Sequence, residues 1–334
     1  MLTYNHKVIT HNDKWFNEFI GHPEQVYHVY TSGQGGQVIA TPNSGEYGTY
    51  VTLSNTPSEG YEFVNYSITG APWYNRESFY IQHNDAYVEG HFNAIVRTVT
   101  CSGNHGTVVA TPNSGIIGDT ITLTNTPDEG YALDSYTITG ATLYDTNKFD
   151  IATSDVHVQG NFSVDTKDVT IGTQTWMGKD LKIDDGLGGI IKVNNVTAHG
   201  VNMGTVYYYK WDAAIRIANS ISGWHLPTRY EWRLFLNYIK NANDYSLTIR
   251  STTAWDVNGN NATGFNAYPV GYKTSSGAYI QQLGNGVEYW SSTRDGNDKA
   301  KTYTIQAGKP NDWPLEYIGY IDEYYLPVRL IKDS

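Results

Sequence analysis

A single cysteine in 334 residues excludes an intrachain disulfide and any zinc site built on paired thiolates. Positive charge is also scarce. Lys and Arg number 22 against 33 Asp and Glu, a net charge of −11, so the clustered cations that a phosphate backbone demands are missing and nucleic acid is excluded as a partner. No apolar run approaches the roughly twenty residues of a membrane-spanning helix. The opening stretch, Met1–Ile9, has neither the charged start nor the continuous apolar core of a secretory leader, so export by that route is not expected. What the chain has in quantity is tyrosine, 28 residues, and glycine, 33. That composition suits short strands and loops that present rigid amphipathic rings, and equally an all-β protein with many strands. The length calls for two or three domains rather than one core.

Taken in order, residues 1–27 form an N-terminal arm. Its hairpin is expected to turn at Asn12-Asp13, and its apolar Trp15, Phe16, Phe19 and Ile20 are too few for a core and must dock on something. Residues 28–95 and 96–165 are two modules, within which 28–93 and 98–163 are an internal repeat at a constant offset of 70. Val38-Ile-Ala-Thr-Pro-Asn-Ser-Gly45 returns as Val108-Val-Ala-Thr-Pro-Asn-Ser-Gly115, and Tyr66-Ser-Ile-Thr-Gly-Ala71 as Tyr136-Thr-Ile-Thr-Gly-Ala141. Thr49–Leu53 and Asp119–Leu123 alternate with period two, as strands do, and Thr-Pro-Asn-Ser-Gly is turn chemistry. Cys101 falls where the first copy has Thr31, a strand position rather than that of a reactive thiol.

Residues 166–334 make the third domain. Val169–Leu181 reads as a hairpin turning at Gly172-Thr173, and Trp211–Ala218 as a short amphipathic helix. In Ser222–Trp232, Pro227 keeps Leu226 extended, while Thr228 and Glu231 have capping-box spacing, so a longer helix is expected over Thr228–Ala242. Its apolar face is expected to include Tyr230, Leu234 and Tyr238 as well as Trp232, Phe235, Leu236 and Ile239. Strands are expected near Thr248–Ser251, Phe265–Tyr272, Val287–Ser292, Lys301–Ile305 and Leu326–Ile331.

These motifs carry two resemblances. The alternating strand, the Thr-Pro-x-x-Gly-Tyr turn (Thr56–Tyr61, Thr126–Tyr131) and the closing Thr-Gly-Ala resemble the divergent internalin-type B-repeat of bacterial and phage surface proteins, although Tyr66 and Tyr136 stand where those repeats usually carry Trp. The resemblance implies small β-grasp-like modules that act as spacers or adhesive units, with no catalytic residues. The third domain resembles the Fibrobacter-succinogenes major paralogous domain through Ile171–Met177, Tyr209–Ala214, Gly223–Trp232, Tyr289–Thr293 and Val328–Asp333. That resemblance implies a C-type-lectin-like fold similar to sulfatase-modifying enzymes. The expected fold is therefore mainly β with some α: two small β-grasp-like repeat modules plus a C-terminal α+β C-type-lectin-like domain.

Chemistry is hard to find. The cysteines that an oxidase of the sulfatase-modifying kind needs are missing from the third domain. Its two histidines are His199, read as a loop residue, and His225, read as a hydrogen-bonded core residue. Asp184-Asp185-Gly lacks the full ligand spacing of a calcium loop and reads as a turn, as does Asp295–Asp298. No nucleophile–base order and no paired acid and base are visible, so a non-enzyme with no cofactor and no metal is expected.

In a lectin-like fold the ligand face is expected on the loops of roughly 252–297. There Trp255, Tyr268, Tyr272 and Tyr279 are interleaved with Asn and Gln, and Trp313 and Tyr317 look like an exposed loop pair beyond them. The expectation is a structural or adhesion protein on a bacteriophage virion surface (head fibre, decoration or tail appendage), a homo-oligomer anchored to capsid or tail proteins by its arm. It would display the lectin-like domain to a host-surface glycan or protein. A secreted or cell-surface bacterial adhesin is the alternative.

Overall fold

The structure is a computed structural model that describes residues 3–4, 7–8, 25–240, 245–277, 279–307 and 315–333. Within the arm, Thr3–Tyr4 pairs antiparallel with Lys7–Val8, Tyr4 opposite Lys7, and the turn expected at Asn12-Asp13 lies outside the described residues. Trp15, Phe16, Phe19 and Ile20 lie outside the described residues.

By its contacts the chain divides into two compact units, Met1–Gly103 with Thr107–Asn125 and Tyr136–Gly160, and Asn104–Gly106 with Thr126–Ser135 and Asn161–Ser334. In the first repeat two four-stranded sheets face each other. One runs Ser44–Gly45, Tyr27–Gln34, Ala86–Ala94, Tyr61–Thr69; the other Gly36–Thr41, Tyr50–Pro57, Ser78–Tyr80, Trp73–Asn75. The last long strand lies parallel beside the first, Ala86 opposite Val29. Alternation puts Val29, Val38, Val51, Leu53, Phe79 and Val88 between the sheets, which is why one residue in two along these strands is apolar. The second repeat keeps the strand order, with Val156 parallel beside Val99 and Ile121 opposite Phe149. Cys101 sits on its first strand, half-buried, and burial raises its thiol above the ordinary value. Each module thus closes a core of its own from short alternating strands.

The rest of the second unit is a mixed fold. Val169–Ile171 and Gln174–Trp176 form the expected hairpin, with Gly172 at φ 64° in the turn. That hairpin continues into a sheet with Ile331–Lys332 and Trp224–His225. A second sheet is Gly286–Arg294, Lys299–Gln306 and Leu315–Tyr320. Helices span Trp211–Ser220 and Arg229–Ile239, and the expected capping box forms: Thr228 Oγ1 accepts from the Glu231 N–H at 3.2 Å, and Glu231 Oε2 accepts from the Thr228 N–H at 2.7 Å. The helix buries only Trp232, Phe235, Leu236 and Ile239, an i, i+3, i+4, i+7 stripe. Tyr230, Leu234 and Tyr238 face water, contrary to the expected broad face, because a helix packed on one side of a core covers a single stripe.

Two expected strands are not there. Tyr245–Ile249 is a short helix, not the start of a strand. Phe265–Tyr272 makes only isolated bridges, Ala267 to Arg250, Gly271 to Val287 and Tyr272 to Gln281. The reason is local: Asn266 at φ 54° and Gly271 at φ 64° break the extended path, and Pro269 has no N–H to give a ladder. The closing segment is likewise shorter than expected, with strand only at Ile331–Lys332, after Pro327.

Arg329 is buried to 1% exposure, yet fully bonded. Its Nε donates to Asp180 Oδ1 at 2.5 Å, Nη1 to the Met177 carbonyl at 3.0 Å and Nη2 to the Asn266 carbonyl at 3.1 Å, and the guanidinium lies over the Phe265 ring. Removing one partner of a buried ion pair leaves the other uncompensated. Asp180→Ala is therefore expected to lower the stability of this unit by about 3–5 kcal/mol. Urea unfolding followed by tryptophan fluorescence reads it as a fall in midpoint, and an unchanged midpoint refutes the role given to the pair.

Candidate functional site

Of the residues expected to bind ligand, Trp255 is core. It is 3% exposed, packs in the main apolar cluster, and its indole N–H is shared between Ser251 Oγ at 3.1 Å and the Ala267 carbonyl at 3.0 Å. The Asn- and Gly-rich loop folds its ring inward, so Trp255 is no platform. Tyr268 is half-buried against the same core, with its edge in a cleft. Tyr279 is 80% exposed. Trp313 lies outside the described residues. Tyr317 is exposed but sits on the strand Leu315–Tyr320, opposite Thr302, and not in a loop.

The cleft, about 290 Å³, is lined by Glu129, Asp165, Lys179, Asp180, Lys182, Tyr207, Tyr268 and Arg329 among others. Its charges answer one another. Lys179 pairs with Asp165, Lys182 with Glu129 at 3.8 Å, and Arg329 with Asp180; the Tyr207 hydroxyl donates to Glu129 at 2.9 Å. Burial, seconded by the charge of Lys182, lowers the Lys179 ammonium below its ordinary value. Cations and carboxylates are thus paired around the mouth, and the backbone N–H of Gly178 donates to the Thr166 carbonyl beside them. The arrangement seals the incoming chain to the domain.

The acidic turns are closed in the same way. Asp185 holds Arg216 at 2.6 Å and takes the Leu187 N–H, and the hydrogen bond from Arg216 lowers its carboxyl despite burial. Asp184 meets Lys192 at 3.2 Å, and Asp295 meets Lys301 at 3.3 Å. Among the described residues no group of three or more His, Cys, Asp or Glu is placed to hold a metal ion.

A different grouping lies at the edge of the core, with Tyr272 and Tyr324 half-buried against it and Tyr320 exposed. Tyr272 stacks on Tyr324 with centroids 5.4 Å apart, and Tyr320 meets Tyr324 edge-on at 6.5 Å. Lys299 lies over the Tyr320 ring at 4.7 Å. Close by, Glu288 is buried with a raised carboxyl pKa caused by desolvation, and the Thr302 hydroxyl donates to it at 2.5 Å. Burial first, with the charge of Glu288 added to it, raises the Tyr272 and Tyr324 hydroxyls. Sequence reasoning named Tyr272 and missed the other two. The four tyrosines within Tyr317–Tyr325 were the available clue, and only folding sets two of them beside residue 272.

His225 is half-exposed and not a core residue. Strand pairing of Trp224-His225 with Ile331–Lys332 brings it to Asp333, whose Oδ1 is 2.6 Å from Nδ1, while Glu231 Oε1 is 2.9 Å from Nε2. Glu231 therefore caps the helix with one oxygen and orients the imidazole with the other. His199, at φ 47° in a tight turn, meets Asp256 at 2.9 Å. Burial opposes charging of the His225 ring, but the hydrogen bonds and charges of Asp333 and Glu231 outweigh it and hold the imidazole above its ordinary value. A raised folded pKa contributes stability that is full below the unfolded value of about 6.5 and is lost as pH rises through the folded one. The difference in Tm between the parent protein and His225→Gln should thus be largest below about pH 6.5 and shrink on the alkaline side. Thermal melts from acid to alkaline pH at constant salt test this, and a difference that grows with pH contradicts it.

Comparison with known proteins adds the family context. Residues 169–332 match the model of the Fibrobacter succinogenes major domain. Residues 27–96 and 97–166 each match the divergent InlB B-repeat domain. No curated protein and no solved structure shows a significant match to the chain. Among the described residues no helix is long and apolar enough to cross a membrane. The domain types together point to an extracellular surface or adhesion-type protein. The chain is built of two divergent InlB B-repeat domains with a Fibrobacter succinogenes major domain behind them.

Proposed function

We propose that this chain is a non-enzymatic adhesion protein of a bacteriophage virion surface, whose C-terminal domain attaches to a host-surface glycan or protein through Tyr272, Tyr320 and Tyr324. The observation that carries the reading is a contrast within the second compact unit: Glu129, Asp180 and Asp185 are each closed by a cation, while Tyr272, Tyr320 and Tyr324 gather in one group whose outer member, Tyr320, is exposed. An acid–base enzyme needs a donor and an acceptor free to face a substrate. Glu231 is engaged by the helix cap and His225, Asp180 by Arg329, and Asp185 by Arg216. Grouped rings with hydroxyls at their rims suit stacking on sugar faces or packing on protein side chains. B-repeats in front of such a domain fit a spacer, and the apolar N-terminal arm fits an anchor on capsid or tail proteins.

Antibody labelling of purified virions by electron microscopy tests the location. Label on particles is expected, and label confined to a bacterial envelope makes the chain a cell-surface adhesin instead. Deleting residues 1–25 should leave the folded domains and remove the chain from particles. For the attachment face, Tyr324→Ala should weaken binding to host cells by about tenfold without lowering the melting temperature of the repeats. Undiminished binding moves the contact elsewhere.

A further inference from the structure

The two repeats share one fold, so each is a control for the other. On the first, Tyr50, Tyr74 and Tyr80 stand together on the outer face of the sheet Gly36–Thr41, Tyr50–Pro57, Ser78–Tyr80, Trp73–Asn75. Each is at least 40% exposed. Tyr50 and Tyr80 are cross-strand partners with centroids 5.2 Å apart, and Tyr74 meets both nearly edge-on at 6.0 and 5.3 Å. At the same register in the second repeat, Thr120 faces Asp150, and its hydroxyl donates to that carboxylate at 2.7 Å. The other sheet repeats the contrast. Tyr30 stacks on Tyr87 at 5.1 Å, whereas their counterparts Thr100 and His157 are hydrogen-bonded at 3.0 Å. Tyr74 keeps an exposed counterpart in Tyr144, but the fold does not need Tyr30, Tyr50, Tyr80 or Tyr87, and exposed rings the fold does not need indicate a ligand.

The charge pattern indicates which ligand. The four strands of the tyrosine-bearing sheet contain no charged side chain, although 16% of the residues in the chain are charged. The matching sheet of the second repeat carries Lys148 and Asp150. Gln37, Thr41 and Thr52 share the outer face with the rings, because they lie in register with, or two residues from, exposed positions. Aromatic faces flanked by hydroxyls and an amide, with charge confined to the opposed Arg76 and Glu77 of the turn between the two short strands, match the apolar faces and hydroxyls of an uncharged sugar chain. A phosphate-bearing polymer would require several clustered cations, and the sheet adjoins a single one, Arg76, with Glu77 beside it.

We infer that the outer face of the first repeat, centred on Tyr50, Tyr74 and Tyr80, is a binding platform for a neutral polysaccharide. It is separate from the tyrosines of the C-terminal domain and does not rest on their role.

Because the second repeat folds with Thr and Asp at the equivalent positions, Tyr50→Thr/Tyr80→Asp is a swap that the module accepts. The full chain is run through native gels containing dextran, laminarin or mannan as neutral probes and polygalacturonate as an acidic one. Retardation by at least one neutral polysaccharide is expected, weakened about tenfold or more in the double variant while the melting temperature is kept. The reciprocal variant, Thr120→Tyr/Asp150→Tyr, should strengthen retardation. Tyr324→Ala should leave it unchanged, so that failure of the C-terminal face and failure of this one read out separately. The proposal is overturned if the parent chain is retarded by no neutral polysaccharide or only by polygalacturonate, or if the double variant is retarded equally. It is also overturned if sedimentation shows concentration-dependent self-association that the double variant abolishes, which makes the face a contact between copies of the chain.

Discussion

The buried pair of Arg329 and Asp180 is the constraint on which the C-terminal domain depends. A guanidinium at 1% exposure has to be neutralised and its donors filled, and the residues that do so come from distant stretches. Asp180 and Met177 follow directly on the opening hairpin, Asn266 belongs to the irregular loop, and Arg329 to the closing segment. Tyr289, from the strand Gly286–Arg294, donates its hydroxyl to the same Asp180 oxygen at 3.0 Å. With both ends of the domain held this way, Ile331–Lys332 can lie between Gln174–Trp176 and Trp224–His225. Strand register then sets Asp333 beside His225. The helix cap and the imidazole are coupled through Glu231, and Asp333 on the other ring nitrogen fastens the closing strand to the helix start.

The repeats solve a different problem with one device used twice. Gly60 and Gly130 occupy the tips of equivalent turns at φ 81° and 87°, where a side chain would be strained. Each tip also lies against a later part of the chain. A Cβ on Gly60 would come within 2.6 Å of Ile117, and one on Gly130 within 2.4 Å of the Lys182 carbonyl oxygen. The Glu-Gly-Tyr turn, which reads in the sequence as a simple reversal, therefore doubles as the contact surface of the module. Outside the tips and the alternating core the two copies are free to differ, and that is where they do.

Legibility followed the range of the interactions. The repeats, the Gly172-Thr173 hairpin and the Thr228–Glu231 capping box are local patterns, and each forms where its residues predict it. The ligand face was misread at Trp255 because an Asn- and Gly-rich loop carries the same composition whether its rings point outward or inward. In a domain with few and short helices, loop rings are needed to fill the core, and Trp255 fills it together with Phe265 and Tyr289. The strand expected at Phe265–Tyr272 failed for a related reason: apolar residues spaced for burial look extended until positive φ at Asn266 and Gly271 is taken into account. The cluster of Tyr272, Tyr320 and Tyr324 brings together two stretches far apart in the sequence, beyond the reach of any local pattern.

Burial, charge pairing and aromatic exposure divide this chain consistently. Where charges are dense, around Asp165, Lys179, Glu129 and Lys182, they neutralise one another and fasten backbone. On the sheet bearing Tyr50 and Tyr80, by contrast, the strands carry no charged side chain and charge is confined to the Arg76-Glu77 turn. Exposed ion pairs contribute little and weaken with salt, whereas ring stacking and hydroxyl contacts are insensitive to it. On the proposed reading the ligand is held through contacts that ionic strength does not dissolve, which suits attachment at a surface whose ionic surroundings the protein cannot control.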